Sequence, residues 1–225
     1  MPKILSVNVS LPKDIDFEGQ KVRTGIFKEP VEGRVMLRTL NLDGDKQADL
    51  TVHGGPDKAV YAYPIEHYEY WRRVFTNIEM SNGMFGENLT VDGLKESEVS
   101  IGDVFQIGSS KVIATQPRMP CYKLGVKFGR MDILKMFLAS GRSGIYFKVL
   151  EEGEVGAGDT IEQIRKDPNG ITISDVVRLY ASDKEDIKMM RRAVKVEPLP
   201  DGWKHYFLEQ IKRIEKKRPK VNVGK

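Results

Sequence analysis

The sequence predicts a mostly β protein with helices, of the α+β class, followed by a small three-helix domain at its C-terminus. Three observations carry this. Up to residue 165, short β-branched or apolar runs recur between Gly, Asp, Glu or Pro, the grammar of strands and turns. Two longer segments with helical spacing interrupt them. Beyond residue 165 the pattern becomes three consecutive helical segments. The division expected is therefore a β-rich body over 1–165 and a basic helical domain over 166–225.

The elements follow in chain order. M-P-K-I-L-S-V-N-V-S at the N-terminus alternates apolar positions and reads as a strand, with no signal-peptide apolar region. Residues 22–27, 33–37, 98–107, 111–116 and 145–150 are the other predicted strands. A helix is expected over 64–75, with Pro64 in its first turn and Tyr68, Trp71 and Phe75 on one face. A second is expected over 131–139, between Gly129 and Gly141. After the Lys166–Gly170 loop, helices are predicted over 174–181, 185–194 and 203–217, with Asp183 and Asp201 as N-caps. The pattern V-x-x-G-D occurs at Val99 and again at Val155. Both copies read as strand corners in which Gly takes a positive φ and Asp caps the turn.

Forty per cent hydrophobic and thirty per cent charged residues suit a soluble globular chain. No apolar run approaches the roughly 20 residues needed to cross a bilayer, so no membrane association is expected. One cysteine excludes an intrachain disulfide, which fits a reducing compartment and a cytoplasmic protein. The net charge of +4 is uneven: 21 Lys and Arg against 23 Asp and Glu up to residue 165, then 15 against 9.

That cysteine, Cys121, sits in Q-P-R-M-P-C-Y-K-L-G. Pro117 and Pro120 lack an amide N–H and disfavour helix before them, so a stiff loop should leave the preceding strand. Arg118, Lys123 and Lys127 bring positive charge, which favours thiolate, the form that attacks or binds metal. Structural zinc needs more thiol and imidazole ligands than one cysteine and three scattered histidines supply. A Cys–His pair with His53 is open. His53 itself lies in L-T-V-H-G-G-P-D-K, where Gly54 and Gly55 let backbone amides approach an anion and Lys58 adds charge; the same residues also make an ordinary tight turn. Lys21, Arg23 and Thr24 open a strand, and Arg142 and Ser143 join a helix to a strand. Together these cations suit phosphate, while a lone thiolate suits a soft transition metal.

The motifs D-x-x-A-D-L-T-V-H-G-G-P-D-K-A-V-Y from Asp45, F-G-E-N-L-T from Phe85, I-G-D from Ile101 and Q-P-R-x-P-C ending at Cys121 resemble the MOSC domain, the molybdenum cofactor sulfurase C-terminal domain. With the basic helical tail, the chain is similar to the bacterial YiiM type, the 6-N-hydroxylaminopurine resistance proteins. The resemblance implies a β-barrel body that holds the molybdenum cofactor (Mo-molybdopterin), with Cys121 as the protein ligand to molybdenum. It places Arg118, His53, Lys21, Arg23, Thr24, Asn88, Arg142 and Ser143 at or near the cofactor, with Cys121 and His53 at the chemistry. It implies reduction of small N-hydroxylated substrates to amines, detoxifying base analogues. No G-x-G-x-x-G fingerprint occurs, so electrons are expected from a separate donor reductase. The resemblance is compatible with a homodimer.

Two other readings compete. The same fold could carry cofactor or sulfur on Cys121 without turnover, although no pyridoxal-phosphate domain accompanies it here. The basic run near Ile211–Lys220 could contact nucleic acid, but Glu209 and Glu215 dilute it. The apparent stripe of Trp203, Phe207, Gln210 and Ile214 favours a core-facing helix with a solvated back, so nucleic acid is not expected as a partner. His67 and His205 are assigned no role.

Overall fold

The computed structural model describes residues 1–46, 48 and 54–217. In order the elements are β1 (Lys3–Val9), β2 (Lys13–Phe17), β3 (Gln20–Thr24), β4 (Glu29–Val31), β5 (Arg34–Leu37), a 3-10 turn (Pro56–Lys58) and β6 (Val60–Pro64). Then come α1 (Glu66–Val74), β7 (Leu89–Asp92), β8 (Val104–Ile107), β9 (Ser110–Pro117), α2 (Tyr122–Phe128) and α3 (Ile133–Ser140). The chain continues through β10 (Ile145–Glu151), β11 (Gly153–Gly156), β12 (Ile161–Arg165), α4 (Ile173–Ala181), α5 (Ile187–Ala193) and α6 (Asp201–Lys217). The class is α+β, with a large sheet and three C-terminal helices.

Eight strands form the main sheet in the order β12-β8-β9-β10-β6-β7-β1-β4. Among the described strands, only β6 and β7 pair in parallel. A parallel pair needs a long crossover, and residues 65–88, with α1, provide it. Among the described residues, no continuous ladder closes the sheet into the expected barrel. The sheet instead curls until its far side meets β1. Ile4 N–H donates to Asp159 O at 2.9 Å, Gly158 N–H to Ile4 O at 2.8 Å and Ile161 N–H to Pro2 O at 2.8 Å.

Two apolar clusters stabilise this shape. One lies between the sheet and the C-terminal helices, joining Ile4, Leu89 and Phe147 to Val176, Leu179, Met190 and Phe207. The other packs α1, α2 and α3 against β6 through Tyr63, Trp71, Phe85 and Phe137. Trp71 stacks on Phe137 at 6.1 Å and 8°, and its Nε1–H donates to the Tyr63 hydroxyl at 2.8 Å. The helical segment does not hang free, because Ile101 N–H donates to Ile171 O and Ile173 N–H to Val99 O.

Several expectations need correction. Pro64 ends β6 instead of opening a helix, and α1 starts at Glu66. β6 has all five residues buried, so it carries no alternation from which a strand could be read. The predicted strand over 98–107 starts only at Val104, because Asp103 accepts Ser100 N–H at 2.8 Å and folds a turn there. Asp159 does the same for Gly156 N–H at 2.9 Å, with Gly102 and Gly158 at φ +94° and +91°. The two V-x-x-G-D corners therefore share one turn chemistry.

In the helices, Asp186 caps α5 by accepting Met189 N–H at 2.9 Å, while Asp183 pairs with Arg178. Asp201 is the first residue of α6. Thr172 and Asp175 form a reciprocal capping box on α4, worth about 1 kcal/mol. The buried stripe of α6 runs through Trp203, Phe207 and Ile211, not through Gln210 and Ile214.

Candidate functional site

β9 ends at Pro117 and delivers Arg118, Met119 and Cys121 to one side of the sheet. The stiff loop expected there spans only 118–121; Cys121 is then the N-terminal boundary of α2, extended at φ −122° and ψ 165°. α2 escaped the sequence reading because Gly125 interrupts it. A Cβ at that glycine would lie 2.4 Å from Met131 Sδ, so the exposed Met131 side chain packs directly onto the glycine.

Cys121 lines a pocket with Arg118, Lys28, Lys58, Lys123 and Tyr146. Five cations (Lys28, Lys46, Lys58, Arg118 and Lys123) face it against one carboxylate, Asp45. This local excess is invisible in the average of residues 1–165, which is slightly acidic. The walls are close-set. Gly86 approaches Ile26 so nearly that a Cβ would sit 2.7 Å from Ile26 Cγ1, and a Cβ on Gly25 would sit 2.5 Å from Lys46 O. The pocket is partly open and has a cavity volume of about 90 Å³.

Asp45 organises one wall. Buried, it accepts from Ser10 N–H and Asn88 Nδ2, each at 2.9 Å, and pairs with Lys28. Burial pulls the Lys28 ammonium down from its usual range, and Asp45 opposes that pull. Behind the wall, buried Glu87 accepts from Gly83 N–H at 2.9 Å, Phe85 N–H at 3.0 Å, Thr90 Oγ1 at 2.8 Å and the Tyr68 hydroxyl.

Arg118 is the unusual member. Its guanidinium is buried, 5.1 Å from the Tyr61 ring centre and 5.5 Å from that of Phe137. Among the described residues no carboxylate pairs with it, and its Nη1 has no hydrogen-bond partner. Burial opposes the charge, but the Tyr61 and Tyr146 hydroxyls and the Cys121 thiol favour it, and the balance holds the guanidinium protonated. A buried donor without an acceptor costs about 1–3 kcal/mol, more when charged, so the site is built for an anionic acceptor. That orphaned donor, the cation excess and one soft thiol fit a phosphate-bearing molybdenum cofactor.

The other expected residues divide. Thr24 and Asn88 line the pocket with Arg118 and Cys121. Lys21 and Arg23 do not: they occupy the exposed face of β3, opposite buried Thr24, and Arg23 pairs with Asp14 at 3.2 Å. Arg142 lies over the Tyr70 ring at 3.9 Å and donates to Ser140 O, away from the pocket. Ser143 is buried behind it, its carbonyl accepting the Tyr61 hydroxyl at 2.8 Å. His53 lies outside the described residues. Lys28, Tyr61 and Tyr146 were missed as site residues; Tyr61 closed a quoted motif, but nothing near Lys28 or Tyr146 marked them. His67, given no role, bonds buried Glu96 at 2.9 Å, and Glu96 accepts Gly144 N–H at 2.7 Å.

Lys127 yields a test of this electrostatic environment. Its ammonium donates to Ile26 O at 3.0 Å and Gly83 O at 2.6 Å. Burial pushes its pKa down to about 8, with Glu87 pulling up and Lys28 and Arg118 pushing further down. The unfolded chain keeps this proton to about 10.5, so between those values it binds more protons than the folded chain and stability rises with pH. Relative to Lys127→Met, the wild type should gain stability from about pH 8 to 10.5 and show no such gain below pH 8. Urea unfolding across that range measures it, and a constant difference would contradict it.

Among the described residues, no helix is long and apolar enough to cross a membrane. The MOSC domain model matches residues 49–162, and a model described as a YiiM-like 3-alpha helix domain matches 171–213. The protein YflK of Bacillus subtilis is 41% identical over 211 residues, covering 94% of this chain and 95% of that protein. A protein of Gibberella moniliformis named as a reductase is 28% identical over 208 residues, covering 90% of this chain and 36% of that longer one. The crystal structure of YiiM from Geobacillus stearothermophilus superposes with a TM-score of 0.79 at 30% identity, covering 94% of this chain and all of that one. MOSC domains are associated with the molybdenum cofactor, which agrees with the cationic pocket. The chain belongs to the MOSC domain family, in its YiiM-like form with three C-terminal helices.

Proposed function

We propose that this protein is a molybdenum-cofactor-dependent reductase of N-hydroxylated compounds, such as 6-N-hydroxylaminopurine, working with a separate electron-donor reductase. The observation that carries the reading is the orphaned Arg118 Nη1 in the same cation-rich pocket as Cys121. The reductase name of the Gibberella moniliformis relative supports the reaction type.

Bound there, the cofactor would supply two-electron oxygen abstraction, R–NH–OH + 2e⁻ + 2H⁺ → R–NH₂ + H₂O. Cys121 Sγ would bind the metal as thiolate, favoured by the neighbouring Arg118 guanidinium. Arg118, Lys28 and Lys123 would hold the anionic parts of the ligand by charge-assisted bonds. Asp45 fixes the position of Lys28 and Asn88, and Ile26 and Met119 add apolar surface to the wall. His53 is the proposed proton donor, from its place in the adjoining motif.

The test is multiple turnover. Protein loaded with cofactor and supplied with a low-potential reductant should convert 6-N-hydroxylaminopurine to adenine over many cycles. Stoichiometric cofactor with no turnover would favour a carrier instead.

A further inference from the structure

A second cleft, of about 570 Å³, lies between the Gly54–Lys58 loop and the C-terminal helices. It shares Lys58 and Met119 with the cation pocket, so the two adjoin across those side chains. Its helical wall is aromatic. Tyr180 and Tyr206 lie 5.2 Å apart, and Trp203 stands edge-on to both, at 83° and 89°. Trp203 Nε1–H donates to Gln116 Oε1 at 3.1 Å, and Gln116 Nε2 donates to Asp57 O at 3.3 Å, which locks the ring to the end of β9. Tyr180 and Tyr206 are only half-buried, and neither hydroxyl bonds another described residue.

The charge also differs between the two spaces. The cation pocket sets five cations against one carboxylate, whereas this cleft has Asp57 and Asp201 against Lys58. An anionic ligand belongs in the first, and a neutral or weakly basic one suits the second. Aromatic walls recognise flat rings by stacking, and carboxylates at the rim accept from ring amino groups.

We propose that this cleft holds the flat aromatic ring of the substrate against Tyr180, Trp203 and Tyr206, with the N-hydroxyl group extending past Lys58 and Met119 toward Cys121. The C-terminal helices thereby become the ring-recognition element of the enzyme. The inference rests on the reductase reading for its orientation, but the ring site can be measured without turnover.

The experiment is equilibrium dialysis of adenine against the full chain, with and without cofactor, using cyclohexanol as a neutral, non-planar control. Adenine should bind saturably and cyclohexanol should not. Tyr206→Ala and Tyr180→Ala should weaken adenine binding about 5- to 150-fold, the range of a lost stacking contact. Tyr206→Phe should restore it, which separates stacking from misfolding. Equal affinity in Tyr206→Ala and wild type would overturn the proposal, as would displacement of adenine by bound cofactor. If adenine binds as expected but loaded protein never reduces an N-hydroxylated purine, the ring site stands and the reductase reading fails. If reduction proceeds with an unchanged KM in Tyr206→Ala, the reductase stands and the ring site falls.

Discussion

Replacing Cys121 with alanine is expected to lower kcat/KM for N-hydroxylated substrates by more than roughly 100-fold, the scale at which even an outer-shell change at a metal centre is felt. The same change should leave the fold nearly untouched. Cys121 is partly buried and belongs to neither apolar cluster; its side chain makes no capping bond to α2. Alanine removes one sulfur atom from the edge of a pocket, so thermal unfolding should shift little. Activity and melting temperature measured on the same preparations separate the two effects. A large loss of both would make Cys121 a structural residue, and retained activity would remove the metal-ligand role.

Arg118→Met should behave in the opposite sense to an ordinary core substitution. Replacing a buried ion pair by apolar side chains of similar volume is often neutral or stabilising by about 1–4 kcal/mol, because desolvating the charges costs more than pairing returns, and a buried charge without a carboxylate partner carries that cost with less return. Here the guanidinium has no carboxylate partner and leaves Nη1 unbonded among the described residues, while burial and the other cations already press on Lys127. Against this, the variant loses guanidinium contact with the Tyr61 and Phe137 faces, worth about 2 kcal/mol each when desolvated, a loss that the Met thioether offsets in part by packing on the same rings. The cofactor-free variant should therefore match or exceed the wild type in stability, yet hold far less cofactor. Urea unfolding of cofactor-free protein, with molybdenum content after loading, measures both. A variant that unfolds several kcal/mol more easily would show that Arg118 serves the fold.

The sequence placed Cys121, Arg118 and Asn88 in the pocket because each lies in a motif where local chain geometry decides the outcome, while Thr24 came in with the cations that precede it on the same strand. It misplaced Lys21 and Arg23 because a strand alternates faces. With Thr24 buried on β3, Arg23 must point the other way. Lys28 and Lys58 come from segments far from Cys121 in the chain, and the curl of the sheet brings them to it, whereas Lys123 follows Cys121 directly on α2. The α+β class was legible from turn residues and from the change of pattern near residue 165. The fully buried β6 and the glycine-interrupted α2 were not, since both break the periodicities from which strands and helices are read. The aromatic cleft was hidden differently. Trp203 was visible as part of a core stripe, but its alignment with Tyr180 depends on how α4 meets α6.

The central claim is that Cys121 is a ligand to molybdenum in a pocket built for an anionic cofactor. The most direct measurement is X-ray absorption at the molybdenum edge on loaded wild type and on loaded Cys121→Ala. One sulfur fewer around the metal in the variant is the predicted result. An identical sulfur count in both proteins would contradict it.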